Sequence, residues 1–221
     1  MNAVDDLQPG LFEPFESLGN NCEFGMLQRF SGYDPPGLFR NVGCDSAQAM
    51  VEAIETSFEG MFDEGRYEFT LPFMWPDWRL DCKVSGFTFH TGIPASAEPD
   101  SEIWIRKTRD SIRTFRFLKG KLLDELRQGE KIFVFRFNFD VSAELINRFH
   151  AAIRRHGPGW LLHVMQDPSK PFGWTEMRAD GLIVAAIARL MNEIPQVIDT
   201  KAWRAIAKAS LAIVAANRRV K

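Results

Sequence analysis

The sequence is poor in features that mark several large classes of protein. Its three cysteines, at positions 22, 44 and 82, include no Cys-x-x-Cys pair, which argues against a disulfide framework or a tetrahedral zinc site. The 27 lysines and arginines nearly balance 29 acids, giving a net charge of −2, so no bulk attraction to nucleic acid or to a membrane surface is expected. We therefore expect a cytoplasmic protein with reduced thiols and no bound metal.

Long apolar runs and nucleotide-binding motifs are also missing. No stretch reaches the roughly 18 apolar residues that a membrane span needs, and "MNAVDDLQPG" lacks the apolar run of a signal peptide. Neither Gly-x-Gly-x-x-Gly, a P-loop, His-Glu-x-x-His nor Gly-x-Ser-x-Gly occurs. Their absence argues against dinucleotide enzymes, P-loop NTPases, zincins and serine hydrolases. We expect no cofactor and no membrane span.

What is present indicates one α/β (or α+β) domain. Residues 1–14 are interpreted as an N-terminal lead-in and residues 15–221 as the domain, a length that suits a single core. The pattern predicts a mixed central sheet flanked by helices, with a βαβ unit in the C-terminal half. The predicted strands are "RYEFTL", "WRLDCKV", "GFTFHTG", "KIFVFRFN", "WLLHVMQD" and "FGWTEM"; the later predicted helices cover about 103–128, 141–156, 180–191 and 201–217.

A cysteine at a predicted helix start is the first candidate for chemistry. In "FESLGNNCEFGMLQRF", Asn21 can cap a helix that begins at Cys22. The unpaired N–H groups and the positive dipole of a helix start favour a thiolate there and supply oxyanion donors, to which Asn20 or Asn21 can add an amide. The alternative is that Cys22 is a small buried core residue, as free cysteines commonly are.

A nucleophilic cysteine needs a histidine base, which in turn needs a polar group to orient it. Of the four histidines, His90 ends an apolar strand where a loop begins, which makes it the best base. Asn138 and Asp140 follow a predicted parallel strand and are candidates for orienting it; Asp167 follows the next strand. Side chains at the carboxyl ends of parallel strands gather at one edge. Each can instead serve as a turn or cap residue.

The segment "ESLGNNCEFGMLQRF" resembles the opening of a bacterial family of uncharacterised proteins described as papain-like cysteine peptidases, whose hallmark is Ser-Leu-Gly-x-Asn-Cys. The later "RKTRDSIRTFRFLKGKLLDELRQGEKIFVFRF" is similar to that family's arginine-rich helix and following strand. The resemblance implies a papain-like fold, with Cys22 as nucleophile, His90 as base and a polar residue near Asn138 as orienter. The chain departs from the family where "PPGLFRN" replaces a Pro-Phe-Asp-Trp segment.

A strip of arginines gives a second functional signal. Arg106, Arg109, Arg113 and Arg116 share one side of the predicted long helix, and arginine forks suit phosphate and carboxylate groups. A solvated helix face is the alternative.

We therefore expect a thiol enzyme that catalyses hydrolysis or acyl transfer of a peptide, amide or glycan-type substrate through a Cys22 thioester. The alternative is a non-catalytic accessory domain that binds a glycan or nucleotide-sugar in surface-polysaccharide synthesis. A glycosyltransferase-like enzyme is a third hypothesis, based on the βαβ unit and the acids after its strands.

Overall fold

The structure, a computed structural model, describes residues 8–20, 22–40, 42–73, 75–189 and 198–219. These residues form five helices and nine strands in a mixed α/β arrangement. The helices are α1 (Glu23–Phe30), α2 (Ala47–Glu55), α3 (Glu102–Gln128), α4 (Ala143–His156) and α5 (Thr200–Arg218). The strands are β1 (Phe15–Ser17), β2 (Val42–Gly43), β3 (Tyr67–Thr70), β4 (Asp77–Cys82), β5 (Thr88–Pro94), β6 (Ile132–Phe135), β7 (Trp160–Gln166), β8 (Thr175–Ala179) and β9 (Leu182–Ile187).

The central sheet has the strand order β1-β6-β7-β9-β8, in which only the pairing of β8 with β9 is antiparallel. Strands β6 and β7 with α4 between them form the βαβ unit that the sequence predicts. The hydroxyl of Ser142 caps α4 by accepting from the Leu145 N–H at 3.2 Å, and Gly157 follows its last residue. The predicted mixed sheet with flanking helices is therefore confirmed.

Helices cover both faces of this sheet. One face packs on apolar side chains of α2, α3 and α4, and the other on those of α1 and α5. Because strands of such a sheet are buried on both sides, they are apolar almost throughout. Phe12, inside the predicted lead-in, is fully buried in the second of these clusters.

A second sheet is entirely antiparallel, in the order β2-β5-β4-β3. Its inner side chains belong to the same buried cluster as those of β6 and α3. The rings of Phe62, Phe89 and Phe115 illustrate the contact, with centroids 5.0–5.5 Å apart. The two sheets therefore share one core and form a single domain.

The predicted helix over about 180–191 is wrong. Residues Leu182–Ile187 form strand β9, which is buried along its whole length between β7 and β8. A strand that is buried on both faces is apolar at every position, so it lacks the alternation of apolar and polar residues that would distinguish it from a buried helix. The end of the predicted helix lies outside the described residues.

None of the helices in the part of the chain that the structure describes is long and apolar enough to cross a membrane.

Candidate functional site

His90 has a carboxylate partner on the neighbouring strand. Its Nδ1 lies 3.3 Å from Oδ1 of Asp77, which is 9% exposed and whose Oδ2 accepts the Gly92 N–H at 3.1 Å. Strand β4 begins at Asp77 and pairs with β5, and a register shift after Trp78 places Arg79 opposite His90. The Trp75 ring lies 5.3 Å from the imidazole. A histidine held by a buried carboxylate is the arrangement that orients a general base.

This histidine opens on a cavity of about 330 Å³, here called the His90 cleft. Arg29, Asp34 and Arg40 contribute charge to its wall, and Phe115 and Leu118 contribute apolar surface. Asp34 pairs with both arginines, at 3.3 Å from Arg29 Nε and in direct contact with Arg40. Burial lowers the pKa of Arg40, an effect that Asp34 opposes. The cleft therefore combines an oriented histidine with two guanidinium groups.

Cys22 is the N-cap residue of α1, which begins at Glu23, one position after the predicted helix start at Cys22, and Cys22 is partly buried. Burial raises the pKa of its thiol, so the sulfur is protonated near neutral pH and needs a base to become a nucleophile. Within the described residues no hydrogen bond joins Cys22 to His90.

The face of α1 that carries Cys22 is directed toward the cleft. Cys22, Gly25 and Arg29 are spaced by three and four positions, so they share one face of the helix. Gly25 lies so close to Arg40 that a Cβ there would be 2.7 Å from the Arg40 Cγ, and Arg40 Nη2 donates to the Gly25 carbonyl at 2.8 Å. Arg29, about 10 Å further along the helix from Cys22, lines the cleft itself.

Asn20 connects three segments at the carboxyl edge of the central sheet. Its Nδ2 donates to the Cys44 carbonyl at 3.1 Å, and its Oδ1 accepts the Asn138 N–H at 3.2 Å. Position 19 beside it requires glycine because the backbone there passes close to Arg136: a Cβ on Gly19 would lie 2.6 Å from the Arg136 carbonyl oxygen. Asn21, the other predicted oxyanion donor, lies outside the described residues.

Sequence reasoning missed the charged pair that holds α1 against β6. Glu23 and Arg136 have side chains only 0% and 2% exposed, with Oε2 and Nη2 3.1 Å apart. Trp203 Nε1 donates to Glu23 Oε1 at 2.9 Å, and Arg136 Nη1 donates to Asn138 Oδ1 at 3.1 Å. Burial lowers the pKa of Arg136, an effect that Glu23 opposes. The pair fixes the helix start that carries Cys22.

Asn138 and Asp140, the predicted orienting residues, line a different cavity from His90. This carboxyl-edge cavity, about 430 Å³, lies at the ends of β6 and β7 and also contains Asp167 and His163. The predicted gathering of Asn138, Asp140 and Asp167 at this edge is confirmed. The carboxylate that contacts His90 is Asp77, which the sequence analysis did not select.

Three of the four predicted ligand-binding arginines share a groove. Arg109, Arg113 and Arg116 line a cavity of about 740 Å³ together with Tyr67 and Phe69, and Arg106 is not among its lining residues. Arg116 donates from Nε and Nη2 to the Phe62 carbonyl at 3.1 and 2.8 Å, which gives it a structural role.

Comparison with known proteins leaves the geometry as the only guide to function. No protein-family model, no curated protein and no solved structure matches the chain. The papain-like resemblance stays a prediction, as do the roles assigned to Cys22, His90 and the residues around them. Among the described residues, no group of three or more His, Cys, Asp or Glu side chains could hold a metal ion.

Proposed function

We propose that the chain is a thiol enzyme of hydrolysis or acyl transfer, in which Cys22 is the nucleophile, His90 the base and Asp77 the residue that orients the base. The observation that carries the proposal is the 3.3 Å contact between His90 Nδ1 and Asp77 Oδ1 on the wall of an open cleft. The placement of Cys22 on the face of α1 that continues to Arg29 supports it.

The chemistry follows from the raised pKa of the thiol. Because Asp77 holds Nδ1, Nε2 of His90 is the nitrogen that accepts the Cys22 proton as sulfur attacks an acyl carbon. The tetrahedral oxyanion collapses to a thioester when the leaving group takes that proton from the imidazolium. Water or another acceptor then attacks the thioester with His90 again as base, which restores the thiol.

The test is acylation of Cys22 by p-nitrophenyl acetate, followed by mass spectrometry. We expect His90→Ala to slow Cys22 acylation by roughly 10²–10⁴-fold, the usual contribution of a general base. Asp77→Asn should also slow the acylation of Cys22, because the imidazole loses the carboxylate that orients it. Cys44 and Cys82 are internal controls because both are buried, and burial raises the pKa of Cys44 to about 11.

His150→Ala is the matched control variant, since His150 lies on α4 and does not line the His90 cleft. Cys22 in this variant should be acylated at the same rate as in the unmodified protein. Equal Cys22 acylation in the unmodified protein and in His90→Ala would exclude His90 as the base. A Cys22 that reacts only after unfolding would exclude the thiol function altogether.

A second candidate function is binding of an anionic ligand such as a nucleotide-sugar in the arginine groove. Arg109 and Arg113 line this groove beside the aromatic rings of Tyr67 and Phe69. Guanidinium forks bind phosphate oxygens, and aromatic faces stack on bases and on sugar rings.

Titration calorimetry with UDP-glucose tests this second function. We expect Arg109→Ala with Arg113→Ala to weaken binding by at least about tenfold, and Cys22→Ala to leave it unchanged. Arg106→Ala is a matched control on the same helix, because Arg106 does not line the groove. An equal loss in the Arg106 variant would indicate general charge attraction instead of a site.

A further inference from the structure

The carboxyl-edge cavity is a second built site, separate from the His90 cleft. It lies where β6 and β7 end and α4 begins, the position at which open α/β sheets bind ligands. Its volume of about 430 Å³ is within the range of small-molecule pockets. Its wall combines apolar side chains with a few polar groups that converge on the same space.

One polar side chain in the wall of this cavity, His163 on β7, is buried without the hydrogen bond that such burial normally requires. It is 4% exposed, and its Nδ1 is buried with no hydrogen-bond partner among the described residues. The Phe135 ring lies 5.8 Å from it, and burial lowers its pKa to about 4, so the imidazole is neutral near pH 7. A buried polar atom without a partner costs free energy that an apolar side chain would not. His163 lines the cavity but this nitrogen is shielded from solvent, so a rotation of the ring toward the cavity would let a ligand supply the missing hydrogen bond.

The charge of the wall restricts the ligand. Asp140 and Asp167 line the cavity, and among the described residues that line it there is no Lys or Arg, which disfavours an anion. Asp167 already accepts the N–H and the hydroxyl of Ser169, at 2.9 and 2.6 Å. The positive end of the α4 dipole, with Ala143 in the wall, offsets the acids, which weakens the attraction for a cation. An uncharged ligand fits this balance.

Phe139 adds an apolar surface to the site. It lines the cavity, is 47% exposed, and packs on Phe137 with ring centroids 5.2 Å apart.

Hydroxyl groups hydrogen-bond to carboxylates and to imidazole, and the C–H face of a sugar ring packs on an aromatic ring. We propose that the carboxyl-edge cavity binds a small uncharged polyhydroxylated molecule, such as a monosaccharide. His163 and Asp140 hydrogen-bond its hydroxyls, and Phe139 covers its apolar face. This proposal does not depend on a reactive Cys22.

The experiment is a nitrogen-15 NMR titration of the His163 imidazole with D-glucose, D-galactose, D-mannose and N-acetyl-D-glucosamine. We expect at least one sugar to shift the His163 ring nitrogens in a saturable manner. Affinity, read from backbone amides around the cavity, should fall by at least about tenfold in His163→Phe and in Asp140→Asn. Asp140 is exposed, so its variant stays informative where His163→Phe does not fold.

Asp110→Asn on α3 is the control, since Asp110 does not line the cavity, and it should bind the sugar unchanged. Three results would overturn the proposal: no shift of the His163 nitrogens with any of the four sugars, unchanged affinity in both cavity variants, or a response only to inorganic phosphate or to spermidine. The last outcome would assign the cavity to an ion.

Discussion

Replacing Glu23 by Gln is expected to lower the free energy of unfolding by about 3–5 kcal/mol, the cost of breaking a buried ion pair from one side. The amide keeps the size of the side chain and can still accept the Trp203 N–H. It leaves the Arg136 guanidinium charged where its side chain is only 2% exposed. The 3.1 Å contact is an ion pair without hydrogen-bond alignment, since Arg136 Nη2 makes no hydrogen bond to the described residues. Urea denaturation measures the change.

Two comparisons separate the charge from other effects. Asp110→Asn breaks the exposed ion pair with Arg113 and should cost less than about 1 kcal/mol. The double variant Glu23→Gln with Arg136→Met removes both charges and keeps an acceptor for the Trp203 N–H, so it should recover most of the loss. A loss below about 1 kcal/mol in Glu23→Gln would mean that water reaches the pair.

The pair also bears on the candidate site. Glu23 follows Cys22 directly in the sequence, and Arg136 donates a hydrogen bond to Asn138, which lies just after β6. Loss of the pair should therefore loosen the N-terminus of α1 and make the Cys22 thiol more accessible. In the alkylation of Cys22 by iodoacetamide this predicts a faster reaction in Glu23→Gln, with Cys82 as the buried reference.

Much of the fold follows from local sequence pattern. Strand β6, helix α4 and strand β7 were predictable because the hydrophobic period and the capping residues indicate the same element boundaries. Apolar runs form the two strands, and Gly157 follows the last residue of the helix. The same rule failed at Leu182–Ile187, where burial on both faces removes the alternation that identifies a strand.

The candidate site was less predictable because it depends on contacts between distant segments. His90 was selected as the predicted end of a strand, but β5 continues beyond it to Pro94. Its partner Asp77 depends on the pairing of β4 with β5, whose register shifts after Trp78. Charged residues in a sequence are normally interpreted as exposed, so the burial of Glu23 and Arg136 had no local signal. His163 lies inside an apolar strand, a position that indicates burial, but its missing hydrogen-bond partner could be found only from the structure.

Two buried titratable groups are expected to give the stability of this protein opposite dependences on pH. Burial raises the pKa of Glu16 on β1 to about 7, with Lys121 and Lys131 opposing the effect and Glu125 adding to it. The native state then holds a proton that the unfolded state has lost, so stability falls by about 3 kcal/mol as pH rises from about 4.5 to about 7. Glu16→Gln removes that loss.

His163 acts in the other direction over nearly the same range. Burial lowers its pKa to about 4, so below its ordinary value of 6.5 the unfolded state binds a proton that the native state does not. Stability contributed by His163 is therefore complete above about 6.5, and about 3 kcal/mol is lost as pH falls to about 4. His163→Phe removes this dependence.

The two contributions largely cancel in the unmodified protein, so each becomes visible only when the other is removed. Urea denaturation across about pH 4 to 8 should show stability rising with pH in Glu16→Gln and falling with pH in His163→Phe, relative to the unmodified protein. The double variant should return to the flatter profile of the parent, because β6 separates the strands that carry the two residues by roughly 10 Å, and effects at that distance usually add. Parallel profiles in both single variants would show that neither group titrates between about 4 and 7, and that water hydrates both sites more fully than their burial implies.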